Sequence, residues 1–141
     1  MTHYEAIRQL VASYAAAIDR KDYTGIAACF TPDAVVEYPA AGKKLEGRAA
    51  IAALMRSALE PLDVTQHFFT NLLIRLDCDK AKLECDVLAQ HLRHGLPEGE
   101  TLLVGARYEM RLVHAAAGWL MAHVSERIIW ADGNRSIVPG V

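Results

Sequence analysis

The chain has 141 residues, a length that suits one domain with a substantial core and is short for two. Charged residues make up 23% and the formal net charge is −2, so no basic field exists to hold a phosphate backbone or an anionic lipid surface, and neither nucleic acid nor membrane is expected as a partner. Hydrophobic residues reach 52%, many of them alanine, enough to line a pocket or an oligomer interface as well as fill a core.

From Tyr4 to Ile18 the apolar residues Ile7, Leu10, Val11, Tyr14 and Ile18 recur at helical spacing, with Glu5, Arg8 and Gln9 opposite, which predicts an amphipathic helix. The polar break Asp19–Asp22 is followed by helical patterning over Tyr23–Phe30, and Thr31-Pro32-Asp33 is expected to stop it. Ala34–Tyr38 reads as a short strand closed by Pro39, Ala40–Gly47 as a loop or hairpin, and Arg48–Leu59 as an alanine-rich helix that Pro61 ends. Four long segments follow, Thr65–Leu76, Lys82–His94, Leu102–Val113 and Trp119–Trp130, separated by turn signals at 77–80, 95–99 and 115–118. Long strands joined by short turns form an antiparallel meander, and helices gathered ahead of it describe an α+β domain: a curved sheet bent over helices into a cone open at one end. The tail Gly133–Val141 reads as an irregular extension.

Cys29, Cys78 and Cys85 are odd in number and lack metal-ligand spacing, so they read as buried free thiols of a reducing compartment. The N-terminus carries charge and amphipathic spacing where a signal peptide needs an apolar run, and the expected location is the cytoplasm.

His67 stands just after the turn residues before the first long strand, and alternation places it on one face with Phe69, Asn71 and Leu73. A lone histidine there is ordinarily a core residue bonded to a carbonyl. Asp19, at the end of the first helix, is by default a cap or a solvated carboxylate. If that helix packs on the sheet, the Asp19 carboxylate reaches His67, fixes its tautomer and stabilises its imidazolium, the support that a histidine base requires. His91 on the second long strand and Tyr38 at the end of the first short one, if they face inward, are donors for polarising a substrate carbonyl. Tyr14 and Tyr108 are lesser binding candidates that also suit core packing. Two histidines and a carboxylate could alternatively hold a metal, although no helical His pair or close Cys/His spacing occurs, and no metal or cofactor is expected.

The landmarks IDRKDY, CFTPDAVVEY, GRAAI, TQHFFTN and the late GW and GN resemble the SnoaL-like branch of the nuclear transport factor 2-like superfamily, small cone-shaped α+β domains, over nearly the whole chain. Around the polar residues the chain is similar to two cofactor-free lyases of that superfamily, scytalone dehydratase and lindane dehydrochlorinase. The resemblance implies an Asp–His dyad, with Asp19 from IDRKDY and His67 from TQHFFTN, and it places Tyr38 and His91 on substrate-polarising positions of the dehydratase. It departs at Ile18, where the dehydratase has a tyrosine, at Tyr108, where an asparagine is expected, and at Arg127, displaced from the dehydrochlorinase's arginine. The reading is a cofactor-independent lyase or isomerase acting on a small hydrophobic carbonyl or alcohol compound. Two alternatives stay open: a ketosteroid-isomerase-like shuttle with a carboxylate base, and a binding or assembly module like the small subunit of ring-hydroxylating dioxygenases. An apolar outer sheet face points to a homodimer or homotrimer.

Overall fold

The computed structural model describes residues 1–139. The chain opens with helix α1 (His3–Asp19), started by a reciprocal cap: the Thr2 hydroxyl accepts from the Glu5 N–H at 3.1 Å, and the Glu5 carboxylate accepts from the Thr2 N–H at 2.6 Å. Its apolar stripe, Ile7, Val11, Tyr14 and Ile18, is buried, as the spacing predicts. Helix α2 (Tyr23–Ala28) is capped by Asp22 and is shorter than expected, because Phe30 already begins strand β1 (Phe30–Tyr38). Pro32 therefore lies inside a strand rather than ending a helix. The strand tolerates it because the register against its neighbour shifts between Phe30 and Val35, where a missing N–H breaks no regular ladder. A hairpin leads to β2 (Lys43–Glu46), then α3 (Arg48–Leu59) and the long strands β3 (Val64–Asp77), β4 (Lys80–Leu92), β5 (Thr101–Ala115) and β6 (Gly118–Gly133).

The six strands form one sheet in the order β2-β1-β6-β5-β4-β3. All pairings are antiparallel except β1 with β6, which is parallel, so the sheet is mixed where the pattern of short turns predicts an antiparallel one. β2 and β3 stay at opposite edges, and the sheet is a cone wall rather than a closed barrel. Helices α1 and α3 pack over the inner face; α1 lies against β3.

Bulges give the wall its curvature by bending strands and increasing their twist. β3 slips between Thr70 and Leu73, with Asn71 in the left-handed region (φ 55°); β6 slips against β5 at Ala122 and again at Ile129. Each slip reverses which side chains face inward. Thus Thr65, His67 and Phe69 point in, but Asn71 and Leu73, expected on the same face, point out: Asn71 donates to Asp86 and Leu73 is 60% exposed, while Leu72, Ile74 and Leu76 take over the inner face.

Two further expectations are corrected. Cys78 is exposed, since it occupies a left-handed turn position (φ 53°) between β3 and β4; Cys29 and Cys85 are buried, and burial pushes their thiols up to about 11 and about 12. The tail from Gly133 is ordered through residue 139: a single 3-10 turn (Arg135–Ile137), capped by Asn134, buries Ile137 and brings Val138 and Pro139 to the cavity described below. Gly140 and Val141 lie outside the described residues. Among those described, no helix is long and apolar enough to cross a membrane.

Candidate active site

The inner face of the sheet and the helices enclose a cavity of about 290 Å³, lined mainly by apolar side chains, with a floor of Val87, Ala89, Val104 and Ala106. Small residues on β4 and β5 leave the space. Larger side chains at those four positions would fill it.

One wall carries His67. Its Nδ1 lies 2.7 Å from Asp19 Oδ1, its backbone N–H donates to Asp19 Oδ2 at 3.0 Å, and the Thr65 hydroxyl donates to Asp19 Oδ1 at 3.1 Å. Burial alone would raise the Asp19 carboxyl, but the bonds from the His67 ring, its backbone N–H and Thr65 outweigh it and hold the group below its ordinary value. An ionised carboxylate can only accept, so His67 Nδ1 carries the hydrogen and Nε2 is left with a lone pair for the cavity. The carboxylate sits at the C-terminal end of α1, where the helix dipole disfavours negative charge, which makes three converging donors a requirement for that position. Lys21, in the left-handed region (φ 55°), fixes the turn after Asp19 by donating from Nζ to the Leu62 carbonyl at 2.6 Å, just ahead of β3.

His91 is buried beside His67, the two rings edge to face at 5.7 Å. Its Nδ1 is 3.0 Å from the Leu102 carbonyl, which can only accept, so Nδ1 carries the hydrogen here too. Burial depresses its pKa, aided by the His67 charge and opposed by the Leu102 bond and Asp19. The ring is therefore held neutral, and the nitrogen it offers the cavity is an acceptor, where the sequence had pointed to a donor.

Further along the same sheet, Tyr108 on β5, Glu126 on β6 and Tyr38 on β1 also line the cavity. Tyr108 and Glu126 are register partners, and β1 runs beside β6 with Glu37 opposite Ser125, which sets Tyr38 next to Glu126. Burial drives the Glu126 carboxyl upward, opposed by the Tyr108 and Tyr38 hydroxyls beside it and more weakly by His67. All three tyrosines, Tyr14 included, are pushed upward chiefly by burial, so they remain phenols that donate hydrogen bonds. Tyr14 packs edge to face on Phe30 and Phe69 at 5.5 and 5.8 Å and also borders the cavity. Asp19 and His67 are thus in contact, and Tyr14, Tyr38, His91 and Tyr108 all reach the same cavity. Among the described residues no cluster of three or more His, Cys, Asp or Glu side chains is arranged as metal ligands would be.

Glu126 and Thr65 are the polar residues that sequence reasoning missed. Strict alternation from Trp119 turns Ser125 and Arg127 inward; the bulge at Ala122 reverses the phase, so that Val124, Glu126 and Ile128 line the inner face and Arg127 is exposed. A signal was present nonetheless: one carboxylate interrupts the apolar alternation Val124, Glu126, Ile128.

A curved, open sheet with helices on one face and an apolar cavity between them is a cone-shaped α+β fold, the fold also of a solved nuclear transport factor 2-like protein of Streptomyces avermitilis. A family model described as the SnoaL-like domain matches residues 1–125, and the chain belongs to that family. It is 29% identical over 114 residues to the uncharacterized protein Rv2910c of Mycobacterium tuberculosis, covering 80% of this chain and 76% of the relative. A Novosphingobium aromaticivorans protein provisionally named a scytalone dehydratase superposes with a TM-score of 0.85 at 20% identity, over 93% of this chain and 87% of the other. The type 3 hexachlorocyclohexane dehydrochlorinase of Novosphingobium barchaimii gives 0.78 at 20% identity, over 98% and 91%. At such identities the likeness establishes the fold.

Proposed function

We propose that the protein is a cofactor-independent lyase or isomerase in which His67 removes a proton from a carbon atom of a small hydrophobic substrate. The observation that carries this reading is the 2.7 Å contact between His67 Nδ1 and Asp19 at the wall of an apolar cavity. It leaves Nε2 as the free base, orients the ring and compensates the charge that the ring gains. Tyr38 donates to the substrate oxygen, polarising the bond next to the carbon under attack. His91, with its bare Nε2, accepts from a substrate hydroxyl instead of polarising a carbonyl. His67 then returns the proton to another carbon, giving isomerisation, or keeps it while a protonated hydroxyl leaves the neighbouring carbon as water, giving dehydration.

The test is deuterium incorporation from heavy water into a panel of small aryl and alicyclic ketones, followed by proton NMR, with wild-type protein and His67→Gln. The expected result is exchange α to the carbonyl for part of the panel, slowed by about 10²–10⁴ in the variant. Equal exchange in a folded His67→Gln protein removes His67 from the role, and no exchange by either protein favours a ligand-binding module.

A further inference from the structure

Two carboxyl groups serve one cavity, and their surroundings treat them in opposite ways. Asp19 accepts three hydrogen bonds and is held in its charged form. Glu126 lines the cavity from β6, with β5 and β4 between it and the strand of His67, among Tyr108, Tyr38 and apolar side chains, where burial favours the neutral acid. Opposed environments for two titratable groups in one pocket divide the base side of a reaction from its acid side. Among the described residues, no group on the histidine side of the cavity is placed to give a proton to a departing oxygen: Asp19 is ionised, His91 presents an acceptor, and His67 is committed to the carbon. The phenols hold their protons too tightly to release them, and Lys43, the remaining charged side chain along the cavity among the described residues, is exposed.

We infer that Glu126 is a second catalytic residue, handing a proton to a substrate oxygen while His67 takes one from carbon, so that the site accepts apolar molecules whose leaving or enolising group is an oxygen. This rests on the reading of His67 given above and deepens it. The apolar residues Val87, Ala89, Val104 and Ala106, on the two strands between that of His67 and that of Glu126, hold the body of the substrate, its acidic C–H toward His67 and its oxygen toward Glu126. In a dehydration, His67 Nε2 takes the proton and the C–H electron pair becomes the new C=C bond. The C–O bond breaks with its pair on oxygen, and that oxygen takes the Glu126 proton and leaves as water. One proton then passes from the imidazolium to the Glu126 carboxylate through solvent, which restores both groups.

The experiment compares wild type, Glu126→Gln and His67→Gln on an aryl β-hydroxy ketone and its β-acetoxy counterpart, which yield the same enone by losing water or acetate. Acetate leaves without prior protonation, so Glu126→Gln is expected to slow water loss by about 10²–10⁴ and acetate loss by less than about tenfold, while His67→Gln slows both. Equal slowing of the two reactions by Glu126→Gln, or no slowing of water loss, overturns the role of Glu126 and leaves that of His67 standing; no effect of His67→Gln overturns the base instead. Glu126→Met carries the same comparison if the glutamine variant does not fold. An infrared pH titration of the resting protein needs no turnover: the carbonyl stretch of a protonated carboxyl is expected to persist in wild type above the ordinary carboxylate range and to be lost in Glu126→Gln, and its disappearance from wild type within that range overturns the inference.

Discussion

A carboxylate at the end of a helix and a histidine early in a strand have no chemistry in common until the fold joins them. Asp19 meets the helix dipole unfavourably, and three donors from β3 offset that cost. The same bonds link the site to stability. Because the folded-state pKa of Asp19 is depressed below its ordinary 3.8, the bonds contribute stability that is fully present above that value and lost as pH falls through the folded-state value. Chemical denaturation followed from about pH 5 down to about pH 2 should show a midpoint that falls more steeply in wild type than in Asp19→Asn. Parallel curves for the two proteins would contradict the account. Glu126 has the opposite sign: its neutral form is the one that folding favours, so it costs stability as pH rises through its folded-state value.

At the scale of elements, what was legible in the sequence depended on where strand alternation is interrupted. His67 precedes the slip at Asn71, and His91 lies on β4, which pairs with β5 without a shift, so alternation places both correctly. Glu126 lies beyond the bulge at Ala122, and nothing in a strict period-two reading announces that bulge. Pro32 misled for a related reason, since a proline inside a strand is tolerated only where the ladder is already irregular. The tail reads as irregular from composition, yet Gly133 is what lets it turn back. Its φ of 118° is open to glycine, and an added Cβ would lie 2.3 Å from the Thr101 carbonyl oxygen. Gly133→Ala is expected to destabilise the protein by about 1–3 kcal/mol, measured by urea denaturation, because neither the backbone conformation nor the contact can be kept. Unchanged stability would mean that the turn after β6 does not fasten the segment that brings Val138 and Pro139 to the cavity.

At the scale of the molecule, the chain makes a wall, curves it and covers one side. The α+β plan was legible because hydrophobic periodicity changes from helical to alternating near Val64, and the sheet order follows from short connections between the long strands. The parallel seam between β1 and β6 was not, because it joins segments about ninety residues apart and no local signal records it. The outer face is also patterned. Phe68 on β3, Leu88 on β4 and Trp130 on β6, the last lying across Gly105, form an exposed apolar row, and a separate register row sets Arg75, Lys82, Arg111 and His123 side by side. On the inner side everything converges on whether Asp19 holds His67 as a base. Long-range proton–nitrogen NMR correlation of the His67 ring reads that arrangement directly and needs no substrate. In its neutral form the ring is expected to carry its hydrogen on Nδ1 with Nε2 bare, a preference lost in Asp19→Asn; a wild-type ring that carries its hydrogen on Nε2 would show that Asp19 does not hold His67 as a base.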